Sequence, residues 1–306
     1  MRRSKKVAEV TLRVKALDGL MLGATLYSLR GLSHPRTVVM FSCGGGIAAA
    51  RYAHFARFLA ANSIPVLAFD YRGIGASRTG ALRRFKAVAE DWSEFDCGGA
   101  IEHLRDRYPS AKIVGVAHSI GTMLVGGAPN VGAISRFVFL CAHTGYYADY
   151  MPRYRLPMAL LWHGVMPMLT RICGYFPAHL LGLGEDIPAG IAMQWAARRS
   201  PEFRPEVTPT DGIRANLMLA RYSSVTGEVL KIGFTDDAFA TRAGGDRLMR
   251  AFPALRAVSL EVSPTEAGMP KIGHFGFFRR DGAQRLWPFV LGYIRDGVSV
   301  FRPVPK

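Results

Sequence analysis

Cysteine is scarce: Cys43, Cys97, Cys141 and Cys173 are the only four in 306 residues, with no CxxC pair and no metal-ligand spacing. This excludes a disulfide-built fold and gives no metal site. Three of the four lie in or beside apolar runs, as small buried hydrophobes do in a reducing compartment, so a cytoplasmic location is expected. Long apolar runs are missing as well. The most apolar region, Leu156 to Leu183, is broken by His163, Pro167, Arg171 and Pro177, so no membrane span is expected. Basic MRRSKK at the start is followed by VAEVTLRV, which alternates like a strand instead of running apolar like an export signal. Acidic residues are few, 23 against 39 basic, for a formal charge of +16 and a pI near 10.1. Such an excess raises nucleic acid and anionic membrane as partners. The basic residues, 31 arginines and 8 lysines, are scattered without a basic helix or an aromatic-interleaved patch. No nucleic-acid partner is expected on that ground, while peripheral membrane contact through the basic surface stays open.

What is present is a core-forming chain, 49% hydrophobic, with strand and helix patterns in alternation. Val7 to Val14 alternates, Asp18-Gly19 signals a hairpin, and Leu20 to Tyr27 is a second strand. Thr37 to Ser42 is continuously apolar and runs into Cys43-Gly44-Gly45-Gly46. Ala48 to Ala61 has helical spacing, Ile64 to Phe69 is a buried strand, and a helix is expected from about Trp92 to Tyr108. Further strands follow at Ile113 to Val116 and Phe137 to Cys141, then at Val229 to Phe234 and Ala257 to Val262, before a closing helix at Leu286 to Ile294. This is the α/β class: a mostly parallel central sheet with helices on both faces and sites at the strands' C-terminal ends. Between residues 145 and 222 the alternation stops and helical pieces rich in methionine, tryptophan, tyrosine and proline intervene. The expected division is a core of residues 1–144 and 223–306 and an inserted helical cap at 145–222.

The stretch AKIVGVAHSIGTM, Ala111 to Met123, reads as a strand that turns sharply into a helix with Ser119 at the apex. Small residues two before and two after the serine, Ala117 and Gly121, are needed because the turn forces the two backbones together. A serine so placed acts as a nucleophile if a base and an acid reach it. Asp236 and Asp237 follow a strand, and His274 sits late in the chain between glycines, so the order serine, acid, histidine is the one this turn requires. Spacing favours Asp237 over Asp236, because Ala-Phe-Ala-Thr after it suits a turn and helix onset. Gly44, Gly45 and Gly46 permit backbone N–H groups to approach a developing oxyanion, with the N–H of Ile120 as second donor. The same glycines with Ala49 also fit a loose dinucleotide fingerprint with Asp70 holding a ribose, but the hairpin ahead of them argues against it.

With VVMFSCGGG, DYRGIGAS, VGVAHSIGT, FTDDAFAT and IGHFGFF in this order, the chain resembles the α/β-hydrolase superfamily, near its serine aminopeptidase, monoacylglycerol lipase and carboxylesterase branches. The resemblance implies the α/β-hydrolase fold, Ser119 as nucleophile, Asp237 as acid, His274 as base, and a loop at DYRGIGAS braced by Arg72. Two departures stand out: Ala117 replaces the first glycine of the elbow, and the oxyanion loop lacks a His-Gly pair, leaving Gly44 and Gly45 both open as donors. His118 reads as supporting the turn, and His143, which follows a strand end, as structural, with a place in the pocket lining as its alternative. Trp162 and Met166, in the cap, are expected to line the substrate pocket. The expected activity is cleavage of an ester, thioester or amide of a small-molecule substrate with an apolar acyl group, without cofactor. The alternatives are an acyltransferase on the same residues and a ligand-binding protein that keeps the fold without turnover.

Overall fold

Buried strands rich in valine, isoleucine and phenylalanine form one eight-stranded sheet in the computed structural model, which describes residues 6–199 and 209–297. Residues 1–5 of the basic start, 200–208 of the expected cap and 298–306 of the expected core lie outside those described. In chain order the strands are β1 (Val7–Lys15), β2 (Met21–Leu29), β3 (Thr37–Ser42), β4 (Val66–Phe69), β5 (Lys112–His118), β6 (Ile134–Leu140), β7 (Tyr175–Phe176), β8 (Ile187–Pro188), β9 (Gly227–Phe234) and β10 (Leu255–Val262). The sheet runs β1-β2-β4-β3-β5-β6-β9-β10, while β7 and β8 make a separate two-stranded ladder. The β1–β2 hairpin and the β2–β4 pairing are antiparallel, and every pairing from β4 to β10 is parallel. Gly19 closes the hairpin with φ 95°, a conformation that glycine adopts without strain.

Burial explains the strand sequences. All six residues of β3 and all four of β4 are buried, because helices cover both faces of the sheet's centre. β10 lies at the edge and exposes four of its eight residues. Because β3, β5, β6, β9 and β10 are parallel, the loops that follow them gather at one end of the sheet, and all the candidate residues outside the insertion lie in those loops.

The segment between β6 and β9 is helical, with Pro152–Leu160, Met166–Cys173, Ala189–Ala197 and Pro209–Ser224 as its main helices. A π-helical turn at Leu161–Val165 joins the first two, and Gly174, at φ 79°, ends the second. The expected upper boundary at residue 222 falls inside Pro209–Ser224. No helix of the described residues is long and apolar enough to cross a membrane.

The DYRGIGAS loop after β4 is tied down from several sides. The Arg72 guanidinium bonds the fully buried Asp96 through Nε at 2.8 Å and reaches Asp18 in the β1–β2 turn at 2.7 Å. Its carbonyl accepts the indole N–H of Trp92 at 3.0 Å. Asp70 accepts the backbone N–H groups of Ala49 and Ala76 at 2.6 and 2.8 Å, one on each carboxylate oxygen. Its position at the strand end thus has a structural account that needs no ribose.

Candidate active site

Ser119 stands between β5 and the short helix Gly121–Leu124 with φ 57°, in the left-handed region that non-glycine residues rarely occupy. Gly121 shows why the elbow needs a small residue. A Cβ there would stand 2.3 Å from the carbonyl oxygen of Cys43 and 2.6 Å from that of Ser42, both rigid backbone. On the other side of the serine, Ala117 is fully buried yet accommodated, so a methyl group suffices there.

Ser119 Oγ lies 3.0 Å from His274 Nε2, and His274 Nδ1 lies 2.7 Å from Asp237 Oδ2. The other oxygen of Asp237 accepts the N–H groups of Phe239 and Ala240 at 2.9 and 3.0 Å. Burial by itself would raise this carboxyl. His274 and the two backbone donors outweigh it and hold Asp237 well below the usual carboxylate range, so it is ionised and orients the imidazole. Asp236 has a different task. Its two oxygens accept the N–H groups of Ile272 and Gly273, each at 2.9 Å, and so fasten the loop that carries His274.

His118 is held by partners that leave one tautomer. Its Nε2 donates to the carbonyl of His274 at 2.9 Å, so its Nδ1 must accept from the Tyr52 hydroxyl at 3.0 Å. Tyr52 in turn accepts the Gly44 N–H at 2.9 Å. A continuous run of bonds thus links the glycine loop, through Tyr52 and His118, to the backbone of His274. It also occupies the Gly44 N–H, one of the two candidate donors. Among the described residues the N–H groups of Gly45 and Ile120 have no protein acceptor. The two residues are also neighbours, since a Cβ on Gly45 would stand 2.8 Å from Ile120 Cγ2. Backbone donors left unengaged on neighbouring residues, one of them next to Ser119 in the chain, are suited to stabilising an oxyanion.

A residue read as structural lies at the same oxygen. His143, in the loop after β6, places Nε2 2.9 Å from Ser119 Oγ, and its Nδ1 accepts the Gly145 N–H at 2.9 Å. Nothing in Ala-His-Thr-Gly distinguishes this histidine from any loop histidine. The usable signal was its place, directly past a core strand that ends beside the serine.

The insertion reaches the site through aromatic side chains. Trp195, in Ala189–Ala197, puts its ring 3.5 Å from where a Gly45 Cβ would be, and Trp162 lies against it with ring centroids 4.9 Å apart. Met166 is fully buried and so presents no surface as the structure stands. Phe239 and Phe275 meet His274 edge-on at 5.8 and 5.2 Å. Among the described residues, one group of metal-ligand atoms comes together, those of His118, Cys141 and His274 within 4.8 Å. Each already has a hydrogen-bonding role inside the site, with Cys141 Sγ 3.6 Å from the His274 carbonyl oxygen.

Residues 33–170 match the model of a family described as serine aminopeptidase, S33. Solved structures share the fold over nearly the whole chain. An esterase of Pyrococcus furiosus, Pf2001, aligns with a TM-score of 0.58 at 14% identity, covering 96% of this chain and 92% of its own. A hyperthermophilic esterase of the archaeon Pyrobaculum calidifontis aligns with a TM-score of 0.56 at 15% identity, over 96% of this chain and 87% of its own. An acylaminoacyl peptidase of Pyrococcus horikoshii aligns with a TM-score of 0.56 at 14% identity, over 100% of this chain but 44% of its own. No curated protein matches the sequence.

Proposed function

We propose that this chain, a member of the α/β-hydrolase superfamily, is a serine hydrolase that cleaves an ester, thioester or amide through an acyl-enzyme on Ser119. One observation carries the reading: Asp237, His274 and Ser119 are joined in a single line of hydrogen bonds, and the N–H groups of Gly45 and Ile120 have no protein acceptor among the described residues. In this mechanism Ser119 Oγ attacks the substrate carbonyl while its proton passes to His274 Nε2, and Asp237 stabilises the imidazolium. The carbonyl oxygen becomes an oxyanion held by Gly45 and Ile120. His274 then protonates the departing alcohol, thiol or amine, leaving an ester on Ser119. Water attacks that ester, gives its proton to His274 and displaces Oγ, which recovers the proton as the acid leaves.

An apolar acyl group suits the surroundings. Trp195 over the glycine loop, the side chain of Ile120, and the rings of Phe239 and Phe275 against His274 offer apolar surface next to the reacting atoms. The test is turnover of p-nitrophenyl esters of increasing chain length, compared with the matching p-nitroanilides, by wild type, Ser119→Ala and His274→Ala. Either substitution should lower kcat on the order of 10⁶, and the rate should first rise with acyl length. Turnover by Ser119→Ala at the wild-type rate would defeat the proposal.

A further inference from the structure

Ser119 Oγ has two imidazole neighbours, and the mechanism above uses one. His274 Nε2 is at 3.0 Å and His143 Nε2 at 2.9 Å. The tautomer of His143 follows from its other nitrogen. The Gly145 N–H can only donate, so Nδ1 must accept and the ring proton sits on Nε2. His143 therefore donates to Oγ, and Oγ donates to His274 Nε2. The serine hydroxyl is filled on its acceptor side by one histidine and aimed at the base by the other.

The loop bearing His143 is held firmly. Cys141, two residues before it, has φ 52°, a strained value for a residue with a side chain, and Gly145, two residues after it, has φ 72°. Cys141 N–H bonds the Ile232 carbonyl at 2.9 Å, and the Thr144 carbonyl accepts from Arg198. His143 is buried, and burial, with His274 as the next cause, brings its pKa down to about 3, so it is a neutral donor.

We propose that His143 is a further catalytic residue, whose Nε2–H bond to Ser119 Oγ disfavours the acyl-enzyme and promotes its breakdown. This rests on the serine-hydrolase reading. A hydroxyl or a departing alkoxide oxygen accepts a hydrogen bond well, whereas the alkoxy oxygen of an ester accepts one poorly. The contact is therefore strong in free enzyme, weak once Oγ carries the acyl group, and strong again as Oγ leaves the second tetrahedral intermediate. Its proton is never transferred: His274 returns the proton to Oγ, and His143 stabilises the charge that Oγ gathers on the way out.

The experiment uses p-nitrophenyl butyrate with wild type, His143→Leu and His143→Gln, by stopped-flow burst analysis and intact-mass measurement of quenched enzyme. Glutamine keeps a donor at the reach of Nε2, and leucine has none. Wild type should label at Ser119 with a fluorophosphonate and hold little butyryl-enzyme in the steady state. His143→Leu should still release a stoichiometric burst of p-nitrophenol, carry one butyryl group, and show kcat reduced by about ten- to a hundredfold. His143→Gln should recover most of the rate. Turnover by His143→Leu at the wild-type rate without accumulation overturns the inference. So does an equal loss of burst, labelling and thermal stability in both variants, which marks His143 as purely structural. A wild type that does not label at Ser119 removes the hydrolase reading itself, and that outcome is distinct from the other two.

Discussion

His118, His143 and His274 cluster near Ser119, with ring centroids 4.7 Å apart for His118 and His274 and 5.7 Å for His143 and His274. Burial, followed by the proximity of His274, depresses both His118 and His143, so neither competes for the proton that His274 takes in the proposed mechanism. This has a consequence for stability. The unfolded chain protonates residue 143 below about 6.5, whereas the folded chain resists until about 3. Stability from this group is therefore complete above the upper value and declines as pH falls between the two. Its contribution to the slope is at most about 1.4 kcal/mol per pH unit. Urea unfolding at stepped pH should show wild type losing stability faster than His143→Gln across that window; parallel slopes would contradict the assignment. The serine and the acidic pair were legible as residues because each follows a strand, and the late histidine because it lies in a loop between glycines. Spacing favoured Asp237 as the acid, but the task of Asp236 was not legible, since only the folded backbone turns one carboxylate toward Nδ1 and the other toward the amides of Ile272 and Gly273.

Among the elements, the loop after β3 carries the most specific expectation. Its glycines read alike in sequence, yet Gly44 spends its N–H on Tyr52 while that of Gly45 faces no protein acceptor among the described residues. The difference depends on a tyrosine eight residues on, whose hydroxyl no local pattern reports. Gly45→Ala would set a methyl 2.8 Å from Ile120 Cγ2, too close to be met without a shift of the glycine loop or of Ile120. The expected result is a kcat lower by up to about 10²–10³ with the melting temperature nearly unchanged; an unaltered kcat would remove Gly45 from the oxyanion role. Strands were read closely because continuous burial leaves continuous apolar runs, as in β3 and β4. Helices were read more coarsely. The single helix expected from Trp92 to Tyr108 is a π-helical Trp92–Cys97 followed by α-helical Gly98–Arg107, and the wider turn carries the Asp96 and Trp92 contacts to Arg72. Leu156, Leu160, Met168 and Ile172 look like core residues in sequence but are exposed along the insertion's first two helices. An apolar residue states its chemistry and not its direction.

Across the whole molecule, the class and the eight strands of the main sheet were legible, whereas the short β7–β8 ladder and the order β1-β2-β4-β3-β5-β6-β9-β10 were not, because both depend on which edges pair. That order makes β3, β5, β6 and β9 consecutive neighbours, which brings residues as distant as Gly45 and His274 to one rim. The central claim is that this rim makes Ser119, alone among the chain's serines, a nucleophile. Labelling of the full chain with a fluorophosphonate probe, with the modified peptide identified by mass spectrometry, tests it most directly. The account predicts one label per chain, on Ser119, abolished by Ser119→Ala and strongly slowed by His274→Ala. A wild type that stays unlabelled, or a Ser119→Ala variant that labels equally, would contradict it.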